Sequence, residues 1–174
     1  TSAIRTYCRV KSHNMPYGEV LFDARYNWIE RIGVEYKEYD TTVYNYWTRT
    51  DRKTELIEVL NAQEGFVPGN VLLSFREKDK QGFYIIKEAP ATMDERPETK
   101  GSFHFDDCGI DVLSWGIMPV EIRDDRYQKT YSAVVGVFNT DPSIGYMKIH
   151  EYLKTRFSQG GKRKYYTMIN PWGD

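Results

Sequence analysis

Val71-Leu-Leu-Ser-Phe75, the charged stretch Glu77-Lys-Asp-Lys-Gln81 and the second apolar run Phe83-Tyr-Ile-Ile86 decide the architecture. Two short segments rich in branched and aromatic residues, joined by a stretch that must face water, spell two strands and a turn. Just ahead of them, Pro68-Gly69 supplies turn chemistry. Toward the C-terminus, Ile110 to Ile122 around Trp115 and Tyr131 to Phe138 read as further strands. Toward the N-terminus, Val34 to Trp47 is dense in Tyr, Thr and Val and suits a strand or two. The opening Ile4-Arg-Thr-Tyr-Cys-Arg-Val-Lys11 alternates as a strand does, with Tyr7 and Cys8 disturbing the period.

Helices are expected in three places. Asn14 and Pro16 form a start, Val20, Leu21, Ala24, Trp28 and Ile32 follow at helical spacing, and Gly33 is the stop. Thr50 or Asp51 caps a second, with Leu56, Val59 and Leu60 as its buried stripe. Asp141-Pro142 opens the last, with Tyr146, Ile149, Leu153 and Phe157 on one face and Gly160-Gly161 beyond it. About six short strands with about three dispersed helices predict an α+β domain built on a small curled sheet or open β-barrel. It is expected to occupy residues 1–160, with a polar loop over Thr92–Gly101 and a basic and aromatic tail over 161–174.

Composition narrows the function classes. With 174 residues, 40% of them hydrophobic and 28% charged, the chain suits one soluble domain. No apolar run approaches the roughly 18 residues that a membrane span needs, so no membrane partner is expected. Cys8 and Cys108 are too few for a disulfide scaffold, which points to the cytoplasm or nucleus rather than secretion. A net charge of −1 excludes a histone-like binder but not a local basic patch. The 14 Tyr, 8 Phe and 4 Trp exceed what such a core needs, so some rings are expected at a surface or pocket.

Enzyme signals are thin. His104 and Cys108 flank Asp106 and Asp107, but a Cys nucleophile needs a base and an orienting group. A turn residue and a small buried thiol describe the pair better. Without a phosphate-binding glycine loop, paired-His motif or nucleophile elbow, no metal and no cofactor are expected. Basic residues interleaved with aromatics are the stronger signal. Arg5, Arg9 and Lys11 alternate along the opening strand, and Arg49, Arg52 and Lys53 follow Trp47. Arg123, Arg126 and Lys129 form a third group, Lys162 to Lys164 a fourth. Cations that pair with phosphates, beside flat rings on which bases stack, are what nucleic-acid binding needs.

In order along the chain, these segments resemble YTH domains, a PUA-like family related to EVE domains. Arg5-Thr-Tyr-Cys-Arg-Val-Lys11-Ser12 is similar to the family's opening strand. Val43-Tyr-Asn-Tyr-Trp47-Thr-Arg-Thr50 is similar to its Trp-x-x-Thr segment. Val71-Leu-Leu-Ser-Phe75 with Gly82-Phe-Tyr-Ile-Ile-Lys-Glu-Ala89 resembles its hairpin. Phe103-His-Phe, Asp111-Val-Leu-Ser-Trp115 and Pro119-Val-Glu-Ile122 resemble the strand that follows. The resemblance spans roughly residues 4–125 and implies a module that flips a modified base, N6-methyladenine above all, into an aromatic cage in RNA or DNA. It implies Trp47 as the first cage wall, the Thr48 backbone and Ser12 on the base edge, and His13 beside them. Lys11, Arg49 and Arg52 would hold phosphates, with Arg123, Arg126 or Lys129 in place of the family's C-terminal phosphate contact. The loop that carries the family's second cage wall has no aromatic here. The segment between Ser12 and Trp47 is therefore expected to supply it, from Trp28, Tyr36, Tyr39 or Tyr44. In a longer protein such a module would adjoin or recruit an effector domain. The rivals are a protein-interaction module built on exposed Tyr and Trp, and an enzyme using Cys108 and His104.

Overall fold

Val71–Arg76 and Gln81–Lys87 are adjacent antiparallel strands, joined through the charged turn and paired from Val71 opposite Ile86 to Arg76 opposite Gln81. The computed structural model describes residues 3–11, 26–45, 55–59, 65–88, 102–117 and 122–157. In chain order its strands are β1 (Ala3–Thr6), β2 (Arg9–Val10), β3 (Tyr26–Ile32), β4 (Asp40–Asn45), β5 (Glu55–Val59) and β6 (Gly65–Pro68). They continue with β7 (Val71–Arg76), β8 (Gln81–Lys87), β9 (Ser102–Asp106), β10 (Gly109–Ile117), β11 (Gln128–Lys129) and β12 (Ala133–Asn139). The helix α1 (Pro142–Phe157) follows, and a short 3-10 turn spans Tyr36–Glu38.

Among the described residues, all strand pairings are antiparallel. A six-stranded sheet runs in the order β1-β12-β8-β7-β4-β5, a four-stranded sheet in the order β3-β10-β9-β6, and β11 pairs with β2 in a short ribbon. Both faces of the large sheet's centre are covered, which explains why β7 and β8 are largely apolar runs, interrupted in β7 by the buried Ser74. Leu72, Phe83, Ile85 and Val43 pack toward the second sheet with Phe103, Phe105, Ile110 and Val112. The alternate residues Val71, Leu73, Phe75, Tyr84 and Ile86 pack with Val134 and Phe138 beneath Ile149 of α1. Gly145 lets the helix sit close: a Cβ there would come within 2.7 Å of Leu73 and Phe138. The helix opens as its sequence predicts, with the Asp141 carboxylate accepting from the Ser143 N–H at 2.7 Å.

The α+β class is observed, with corrections. Among the described residues there is one α-helix and no closed barrel. Residues 26–32, expected at the end of the first helix, form β3. A spacing of four, as in Ala24, Trp28 and Ile32, satisfies strand alternation as well as a helical turn, and pairing with β10 settles the choice. Residues 55–59 of the expected second helix form β5, where Leu56 and Ile57 stand opposite Tyr44 and Val43. The Thr92–Gly101 loop, Gly160-Gly161 and the tail lie outside the described residues. No helix among the described residues is long and apolar enough to cross a membrane.

Candidate nucleic-acid interface

The disturbed period at Tyr7 and Cys8 lies opposite a bulge. Thr6 stands opposite Ala133 and Arg9 opposite Lys129, so two residues of one strand face three of the other. Thr130 holds the junction: its hydroxyl accepts from the Cys8 N–H at 2.8 Å, and its own N–H donates to the Cys8 carbonyl at 3.0 Å. Bulges bend and twist a strand pair, and here the β2–β11 ribbon continues from the β1 edge of the large sheet.

The ribbon concentrates cations on rings. Lys129 Nζ lies 3.9 Å from the Tyr7 ring centroid, and the Arg5 and Arg9 guanidinium carbons lie at 5.7 and 5.9 Å. Lys11 Nζ lies 5.7 Å from the ring of Tyr127, which is 66% exposed. Each exposed cation–π contact stabilises by about 0.5–1 kcal/mol, whereas like charges gathered round one ring repel. An incoming anion relieves that repulsion. Among the described residues, no carboxylate pairs with Arg9, Lys11 or Lys129. The exposed residues 123–127 that lead into β11 carry Arg123 and Arg126, offset by Asp124 and Asp125.

Arg5 has a second partner, which anchors the patch. Its Nε donates to Glu88 Oε2 at 2.6 Å, the Tyr152 hydroxyl donates to Oε1 at 2.6 Å, and Arg156 Nε lies 3.3 Å from the same oxygen. Burial pushes the Glu88 carboxyl up, but the bonds from Arg5 and Tyr152 outweigh it and leave the group below its ordinary range. Burial and the Glu88 carboxylate push the Tyr152 hydroxyl up to about 12. One nearly buried carboxylate thus ties β1, the end of β8 and α1 together. Next to it in sequence, Lys87 is 4% exposed, and burial lowers its pKa to about 8. The sequence reading gave Tyr7, Lys87 and Glu88 no role at the site. The available signal was a charged pair closing the apolar run Phe83-Tyr-Ile-Ile86.

Of the residues expected at the site, Lys11 directly follows β2, and Arg123 and Arg126 lie in the exposed segment that leads into β11. Tyr44 lies elsewhere: its ring meets that of Tyr146 edge-on at 5.7 Å, and the two hydroxyls are hydrogen-bonded. Tyr36 is buried in the inter-sheet core against Phe105, and Tyr39 packs edge-on to Phe83. Trp28 stands in β3 opposite Leu113. Ser12, His13, Trp47, Thr48, Arg49, Arg52 and Lys53 lie outside the described residues.

A second cluster occupies the four-stranded sheet. One terminal nitrogen of Arg31 bonds both oxygens of Asp111 at 2.9 and 3.1 Å, and the other bonds both oxygens of Asp106 at 2.8 and 2.7 Å. His104 lies 3.4 Å from Asp111, and its ring lies tilted by 32° against the exposed ring of Phe66, centroids 4.3 Å apart. The ligand atoms of His104, Asp106 and Asp111 lie within 4.8 Å of one another. Because Arg31 already neutralises both carboxylates and holds Asp106 below its ordinary range, the cluster is organised as a cross-strand ion-pair ladder. Cys108, expected as a small buried thiol, is exposed in the turn between β9 and β10, where its N–H donates to Asp106 at 2.8 Å.

Comparison with protein-family models, with curated proteins and with solved structures finds no match to this chain.

Proposed function

We propose that this domain binds a single strand of nucleic acid along the β2–β11 ribbon, with Arg9, Lys11 and Lys129 on phosphates and Tyr7 and Tyr127 as stacking surfaces. The observation that carries the reading is the crowding of Lys129, Arg9 and Arg5 around the one ring of Tyr7. Nucleic-acid binding combines a cationic track with flat rings on which bases stack, and the ribbon offers both. The resemblance to YTH domains adds a finer expectation: a flipped N6-methyladenine enclosed beside Trp47, in a PUA-like fold.

The test is a titration with matched single- and double-stranded oligonucleotides, with and without N6-methyladenine, at two salt concentrations. Three phosphate contacts on a single strand give a log–log salt slope of about −2, or roughly twentyfold weaker binding at 200 than at 50 mM salt. Lys129→Gln should reduce that slope by about 0.7 and weaken all sequences alike. Tyr7→Ala should remove a stacking contribution of about 1–3 kcal/mol with little change in slope. Equal affinity for methylated and plain strands overturns the reader expectation alone. Salt-independent binding, or none, overturns the nucleic-acid reading itself.

A further inference from the structure

The four-stranded sheet does not cover the whole of its larger neighbour. Where it stops, an open groove of about 640 Å³ runs between the Ile32–Val34 segment and strands β8 and β12. Its sides are apolar along one stretch, formed by Ile32, Val34, Phe83, Val135 and Val137. Val137 is 57% exposed although it lies on the face of β12 that elsewhere enters the core through Ala133. Across from Val135 on the edge strand, Ile4 is 70% exposed. Apolar side chains left open beside a concavity of this size are the ordinary composition of a small-molecule site.

Gln81, Asn139 and Lys148 make one end of the groove polar. Gln81 and Asn139 are cross-strand partners there. Lys148 reaches the same end from α1 and donates to the Val137 carbonyl at 2.9 Å, which leaves two ammonium N–H groups for another acceptor. Among the described residues that line the groove, Lys148 alone carries charge. The backbone is bent hard at this end as well. Lys80 (φ 56°) and Thr140 (φ 83°), the residues next to Gln81 and Asn139, are both left-handed, and the Thr140 N–H donates to the Lys80 carbonyl at 2.8 Å. A β-branched residue in that region is a genuine outlier. Strain of this kind persists where the surroundings over-determine it, and it gathers at binding sites. Here it lies next to the cross-strand pair Gln81 and Asn139, both of which line the groove together with Lys148.

We propose that this groove binds a small amphipathic carboxylate, its hydrocarbon body along Val34, Val135 and Val137 and its anionic head on Lys148, Gln81 and Asn139. The charge pattern selects the class: an apolar trough closed by one cation and two amide donors matches an anion with a tail. A neutral or cationic amphiphile leaves the ammonium group without an anionic partner. The site is separate from the β2–β11 ribbon, and neither proposal rests on the other.

Calorimetric titration with octanoate, octan-1-ol and octylammonium tests it, alongside amide chemical-shift mapping. Octanoate should bind one to one and shift Gly33, Gly82 and Val135, with octan-1-ol and octylammonium weaker by about tenfold or more. Lys148→Gln, an exchange on a half-buried helix position, should bring octanoate down to the level of the alcohol. Val137→Glu, at an exposed position, should abolish binding while the far-ultraviolet circular dichroism and the melting midpoint stay unchanged. The proposal is overturned if octanoate does not bind, or if all three amphiphiles bind alike, which would mark a general apolar docking surface. It is equally overturned if Val137→Glu binds octanoate as the parent does.

Discussion

Glu88→Gln isolates the clamp that ties the opening strand to the helix. The side chain is 6% exposed and meets Arg5, Tyr152 and Arg156. The amide keeps the size and an acceptor oxygen for the Tyr152 hydroxyl, but it removes the charge that both guanidinium groups face. Cutting one partner from a fully buried pair costs about 3–5 kcal/mol. Arg5 and Arg156 are 28% and 47% exposed, however, and regain water when the carboxylate is lost. That recovery lowers the expected loss to about 2 kcal/mol at pH 7. In a domain of this size the loss reads as roughly 4–8 °C in the melting midpoint. The pH dependence has a definite sign. The folded carboxyl titrates below its unfolded value, so its contribution is full above about pH 4.3, the unfolded value, and is lost as the pH falls through the folded one. Urea unfolding followed by circular dichroism between pH 7 and pH 3 should show the two proteins separated at neutral pH and converging in acid. A difference under about 0.5 kcal/mol at pH 7, within the ordinary scatter of surface exchanges, refutes the clamp. So does a gap that stays constant into acid.

Other perturbations follow from single observations. Lys87 titrates near 8 when folded and near 10.4 when unfolded, so the unfolded chain holds the extra proton between those values and stability should rise with pH across that window, by up to about 3 kcal/mol. Denaturation at pH 8 and pH 10 should show that rise in the parent and its loss in Lys87→Met. Thr140→Gly should stabilise by about 1 kcal/mol through relief of the left-handed backbone, visible as a higher urea midpoint. A lower midpoint would mean that the threonine side chain outweighs its strain. The Tyr84 hydroxyl is buried without a hydrogen bond to any described residue. Tyr84→Phe should therefore be neutral or stabilising by about 1 kcal/mol, and a loss beyond that in thermal melts would reveal an unseen partner.

How much of this was legible in the sequence differs from element to element. The β7–β8 hairpin was readable because burial on both faces makes a strand continuously apolar, and the charged turn between the two runs leaves a helix no room. The final helix was readable because Asp141 and Pro142 meet the separate needs of a cap and a first turn. Residues 26–32 and 55–59 were misread for one shared reason. Apolar residues three or four apart fit a helix by local geometry, whereas the competing strand gains its hydrogen bonds from partners at least ten residues away, which a local pattern does not contain. The groove was illegible for the same reason, since it exists only where one sheet ends over another.

The ribbon shows the intermediate case. Each cationic group was visible as a group, and so was the fault in alternation at Tyr7 and Cys8. Hidden was the register that joins segments about 120 residues apart. If the pairing of Thr6 with Ala133 continued without the bulge, Lys129 would stand opposite Val10 instead of Arg9. A one-residue slip moves a side chain to the other face of a strand, so the Lys129 ammonium would leave the Tyr7 ring. The extra residue among Thr130, Tyr131 and Ser132 therefore brings Lys129 to the ring that Arg5 and Arg9 already flank. The inserted residue thus stands opposite Tyr7 and Cys8, where the opening strand's alternation falters.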